Sequence, residues 1–227
     1  MAKNKPPLPA PPPPPRYAEW LAFFFGRADR DAPDKWAMDW HFEAPPADVA
    51  DLFVHTMDNS GRDLHHFSDG QLAVGLESLL FSDHSNIPHT ITGDGVSEPQ
   101  RVAVLRSLKH LYAGCLTQRS PKVLGHLSEQ TDNRLWYVTY MLWDVTIYDA
   151  VALKTSERTD ALFEVFDAGL RSPNIACVES VLHGLGHVGN KAGTRAQVMI
   201  DQWLASAPKV RPELLTYARA ARTGMIQ

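Results

Sequence analysis

The sequence predicts an all-α protein, and three observations carry that expectation. Apolar residues recur three and four apart through most of the chain, the spacing of one helix face. Two Ser-x-x-Gln capping boxes, Ser68 with Gln71 and Ser97 with Gln100, each stand before an apolar helical run. No segment shows sustained period-two alternation between hairpin turns, which a sheet requires.

The elements follow in order. Residues 1–15 carry eight prolines between Pro6 and Pro15; consecutive prolines remove amide donors and fix φ, so this tail is expected to be disordered and extended. One helical domain is then expected over residues 16–227. Tyr17, Trp20, Leu21, Phe24 and Phe25 form the first apolar stripe, ending at Gly26. Trp36 and Trp40 share a helical turn. Pro45 and Pro46 prepare a second helix through Val49, Leu52, Phe53 and Met57. Ser68 opens a third helix through Leu72, Leu76, Leu79 and Leu80. Residues 82–96, with Asn86, Pro88, Gly93 and Gly95, read as a loop. Ser97 opens a fourth helix running to Cys115. Pro121 is expected to start a short helix, and Asp132 to cap a long one through Ile147. Further helices are expected over 158–170, through Val178, Val181 and Leu185, over 194–205 up to Pro208, and from Pro212 onward.

At 227 residues, 44% hydrophobic and 21% charged, the chain is long enough for one substantial core. No apolar run approaches the roughly 20 residues needed to cross a bilayer, and residues 1–15 lack the apolar centre of a secretory signal. The two cysteines, Cys115 and Cys177, sit in apolar helical patterns and read as small buried hydrophobes in a reducing cytoplasm. The net charge of −4 hides an asymmetry: residues 27–98 hold 14 acidic and 4 basic residues, a balance of −10. Such a segment repels phosphates and favours a basic partner. No basic stripe with interleaved aromatics points to nucleic acid.

The segment ALFEVFDAGLRSPNIACVESVLHGLGHV, Ala161–Val188, resembles a HEAT-like helical repeat, two amphipathic helices around a short polar turn. That resemblance implies an irregular stack of antiparallel helical hairpins, each burying a face its neighbour covers. FSDGQLAVGLESLLF, Phe67–Phe81, and LHGLGH, Leu182–His187, are similar to segments of uncharacterised bacterial helical proteins. Proteins of that sort include immunity partners of secreted toxins, so the resemblance implies an interaction role and assigns no active-site residue.

The expected function is a non-enzymatic protein-binding scaffold without a cofactor, its partner a toxin or effector of basic charge. Trp36, Asp39, Trp40, Asp48, Asp51 and Asp58 are the candidate partner-binding residues, since tryptophan is enriched at binding hot spots. The alternative is a metal-dependent hydrolase. Glu179, His183 and His187 fall at i, i+4 and i+8, one row of a helix, and two histidines four apart commonly hold zinc. His41, His65, His66 and Asp69 are distant candidates to complete such a site. Gly184 stands where the zincin pattern requires glutamate, and Gly184, Gly186 and Gly189 weaken the helix and favour close helix packing over a metal site. Asp144 and Asp149, five apart, point to different helix faces and make a poor carboxylate pair.

Overall fold

The structure, a computed structural model, describes residues 12–27, 41–144, 148–206 and 209–226. Among the described residues every regular element is helical. These are α1 (Tyr17–Phe25), α2 (Pro46–Asp58), α3 (Ser60–Asp63), α4 (Asp69–Leu80), α5 (Ile87–Thr92) and α6 (Glu98–Leu111). They continue as α7 (Thr117–Arg119), α8 (Leu135–Met141), α9 (Tyr148–Ala152), α10 (Ser156–Leu170), α11 (Ile175–Val188), α12 (Arg195–Ala205) and α13 (Pro212–Arg222). The stretch 1–11 of the proline tail, Trp36, Asp39, Trp40, Ile147, Pro208 and the side chain of Asp149 lie outside the described residues.

Local chemistry sets many of the boundaries. The Ser68 hydroxyl accepts the Gln71 amide and the Gln71 side chain accepts the Ser68 amide, both at 3.1 Å, closing the predicted capping box. The Ser97 amide donates to the Gln100 side chain at 3.2 Å. Thr155 and Asn174 cap α10 and α11 by accepting the Arg158 and Ala176 amides. Pro46 occupies the first turn of α2, where its missing N–H costs nothing.

Four boundaries differ from expectation. The segment 82–96 is not all loop, because α5 forms with Pro88 in its first turn and Ile87 and Ile91 buried. Pro121 opens no helix. Ser120 before it is extended (φ −68°, ψ 137°), as a residue preceding proline prefers, and only a 3₁₀ turn over Gly125–Leu127 follows. Asp132 is not the cap of α8; the Asn133 side chain accepts the Leu135 amide at 3.0 Å instead. The helix then stops at Met141, and residues 142–144 turn.

Two helices organise the packing. α6 lies against α2 and α10, while α11 lies against α8, α10 and α13; α4 joins α1 to α8. α10 and α11, consecutive in the chain, lie against each other. The α2–α6, α6–α10 and α11–α13 contacts join helices that are not consecutive. After α6 the chain makes a π-turn over Tyr112–Leu116, and its Gly114 meets Gly61 of α3 backbone to backbone. A Cβ at Gly61 would lie 2.8 Å from the Gly114 carbonyl oxygen, so no side chain fits there.

The core is continuous, and several of the polar groups buried in it are paired. Tyr112, 1% exposed, accepts the Trp143 indole N–H at 2.9 Å and bonds the Ser180 hydroxyl at 2.7 Å. Buried Arg158 pairs with Glu98 across α10 and α6. The same two helices are tied by Arg106 and Lys109, each 3.0 Å from Glu164. No helix is long and apolar enough to cross a membrane among the described residues.

Candidate functional site

His183 and His187 stand one turn apart on α11, and their Nε2 atoms are 3.0 Å apart. Asp144, on the turn after α8, places Oδ1 3.2 Å from the same His187 Nε2. Ligand-capable atoms of Asp144, His183 and His187 all lie within 4.8 Å of one another. His183 is 3% exposed, whereas the His187 and Asp144 side chains are 30% and 38% exposed. The group therefore has a buried end and a solvent end.

Neighbouring packing positions each member. A Cβ on Gly184 would lie 2.7 Å from the Trp143 ring and 2.9 Å from Phe166. The missing side chain lets Trp143 press on α11 and bring Asp144, the next residue, to His187. Close helix packing is thus what Gly184 provides, and Gly186 does the same for Ile226. Tyr217 of α13 sets its hydroxyl 2.5 Å from His183 Nδ1, fixing the ring that carries Nε2. Tyr217 also stacks on His126 at 4.4 Å between centroids. These two residues line a cavity of about 550 Å³ with Thr216, Ala220, Met225 and Ile226.

Glu179 takes a different part from the one its spacing suggests. Its carboxylate accepts the Gly125 amide at 2.7 Å and the His126 amide at 3.1 Å, and pairs with the His126 ring. It holds the 3₁₀ turn against α11 and is not in the group formed by the two histidines; Asp144 stands there instead. The row geometry of positions 179, 183 and 187 holds for the backbone, but the first side chain turns to a nearer set of donors. Neither His41, His65, His66 nor Asp69 joins the group; Asp69 is engaged by Arg119 and Asn133.

Burial dominates the electrostatics. It pushes the His183 imidazole down to about 4, helped by His187 and opposed by Asp144, so the ring is neutral near pH 7. Burial raises the Glu179 carboxyl against the opposing pull of His126 and two amides. It raises the Tyr217 phenol as well, with Tyr140, Glu179 and Asp144 adding to the effect. The thiols of Cys115 and Cys177, both buried, are pushed up to about 12 and about 11; they stay protonated and unreactive.

Of the candidate partner-binding residues, Asp48, Asp51 and Asp58 are all exposed on α2. At 100° per residue they fall within an arc of about 80°. The other side of α2 buries Val49, Leu52, Phe53 and Met57. Asp51 accepts the Gln100 amide group at 2.9 Å, and Asp58 lies 3.9 Å from His110. Asp48 and Asp51 also line a cavity of about 200 Å³ with Pro14, Pro15, Arg16 and Pro45. Compared with protein-family models, curated proteins and solved structures, the chain gives no match.

Spacing could not find Asp144, His126 or Tyr217. Each stands on another element, and only packing on α11 brings it to the histidines. The one signal near them was the run of glycines around His183, which marked α11 as a close-packed helix.

Proposed function

We propose that this protein is a non-enzymatic helical scaffold, a stack of helical hairpins that docks a basic protein on the outer face of α2. The observation that carries the reading is the shared exposure of Asp48, Asp51 and Asp58 on the side of α2 opposite its buried apolar stripe. The balance of −10 over residues 27–98 supports it. Trp36, Asp39 and Trp40 belong to the same acidic stretch of the sequence. Its most concrete form is a cytoplasmic immunity protein that neutralises a cationic toxin, as the resemblance to bacterial helical proteins implies. Acidic side chains steer such a partner and set the orientation of docking, and screening weakens the attraction as salt rises.

The test combines charge reversal with salt. The full chain and a variant combining Asp48→Lys, Asp51→Lys and Asp58→Lys are immobilised, and partners are captured in 50 mM and 500 mM salt. A partner held by the wild type at low salt, released at high salt and missed by the variant supports the reading. Capture indifferent to both changes refutes it, provided circular dichroism shows the variant folded.

A further inference from the structure

The group at Asp144, His183 and His187 has a donor chemistry the α2 reading does not use. Asp144 contributes a carboxylate oxygen, which only accepts hydrogen bonds. His187 Nε2 lies against it at 3.2 Å and against His183 Nε2 at 3.0 Å. One proton arrangement satisfies every contact. His187 carries the proton on Nε2, shared between Asp144 and His183, and His183 carries its own on Nδ1, directed at Tyr217. His183 then already turns the lone pair of Nε2 toward the other two groups. A tetrahedral ion with bonds of about 2.0–2.1 Å separates its ligand atoms by about 3.3 Å, close to the two separations at His187, while Asp144 and His183, within 4.8 Å of each other, must close on the ion.

We propose that Asp144, His183 and His187 bind one divalent first-row transition ion, zinc foremost, through one carboxylate oxygen and two imidazole Nε2 atoms. Nitrogen donors disfavour magnesium and calcium, which take oxygen ligands. On binding, His187 offers the Nε2 lone pair and carries its proton on Nδ1, while His183 keeps its Nδ1 proton and its contact with Tyr217. Tyr217 is a positioning residue, in the outer place that ligating histidines usually fill with a hydrogen-bond partner. Three protein ligands leave a fourth position, and the exposure of Asp144 and His187 opens it to water. That is the arrangement of a site able to exchange ligands, in contrast to a closed four-residue structural site.

The test uses the full chain without a polyhistidine tag, stripped with chelator and titrated with zinc by calorimetry. Cobalt(II) serves as a spectroscopic probe, because its visible absorption reports nitrogen-and-oxygen coordination. The expected result is one equivalent bound, with affinity falling at least about 100-fold in His187→Ala and about tenfold or more in Asp144→Asn and Tyr217→Phe. Both ligand variants change partly exposed side chains, so their circular dichroism and melting without metal should match the wild type. Glu179→Gln should keep stoichiometric binding and the same cobalt spectrum. Absence of binding at 100 µM zinc, or binding unaffected by His187→Ala and Asp144→Asn, overturns the site. Loss in Glu179→Gln with retention in Asp144→Asn overturns the ligand assignment.

Discussion

Tyr112→Phe tests the buried link between the π-turn, α8 and α11. The substitution removes one oxygen and leaves the ring, so little cavity is created. What it does create is two stranded polar atoms. Trp143 Nε1 loses its acceptor at 2.9 Å and Ser180 Oγ its partner at 2.7 Å, and both residues are almost wholly buried. A net hydrogen bond contributes about 1 kcal/mol, and a buried group left unsatisfied costs about 1–3 kcal/mol. The expected loss is therefore about 2–4 kcal/mol, a large part of the stability of an ordinary domain. Urea denaturation followed by circular dichroism should show a lower midpoint at unchanged slope. Ser180→Ala should cost less, because Tyr112 keeps the Trp143 contact. The double variant should fall short of additivity by about 1 kcal/mol. A loss below about 1 kcal/mol, or strict additivity with Ser180→Ala, would refute the claim that this network is closed to water.

Three further outcomes follow from the same packing. Gly114→Ala should destabilise by about 1–3 kcal/mol, since its Cβ would lie 2.9 Å from the Gly61 backbone nitrogen; thermal melting checks it, and a neutral result would show that α3 can move away. Glu179→Gln should free the 3₁₀ turn, raising amide hydrogen exchange at Gly125 and His126 while the rest of α11 stays protected; unchanged exchange would separate the carboxylate from the turn. The buried neutral His183 should make stability depend on acidity. Its folded value, about 4, lies below the ordinary 6.5, so the unfolded chain binds the extra proton. Its contribution is therefore complete above pH 6.5 and is lost as pH falls toward 4, at up to about 1.4 kcal/mol per unit. Metal-free wild type compared with His183→Gln in urea at pH 7.5, 6, 5 and 4 should show the gap closing with acidification; a constant gap would refute the assignment.

Particular elements show where the sequence is legible. The Ser68–Gln71 and Ser97–Gln100 boxes are settled by residues within one turn, so reading the chain locally suffices. The end of α8 is not of that kind. Its apolar pattern runs on past Met141, yet the turn at 142–144 is stabilised by Trp143 inserting between α11, Phe166 and Tyr112. Residues far away in the chain decide it. The α5 helix was hidden for the opposite reason: Asn86, Pro88 and Gly93 look like breakers, and burial of Ile87 and Ile91 outweighs them.

By itself the sequence determined the helical class, the apolar faces, the two principal capping boxes, the acidic bias of residues 27–98 and the close-packed character of the glycine-rich α11. These depend on neighbours within about four positions, where spacing is a direct measure of distance. Only the tertiary structure decided that His183 and His187 meet Asp144, that Glu179 turns to Gly125 and His126, and that Tyr217 closes on His183. Side-chain partnership is set by which group lies nearest in space, and between separate helices that distance is fixed by packing.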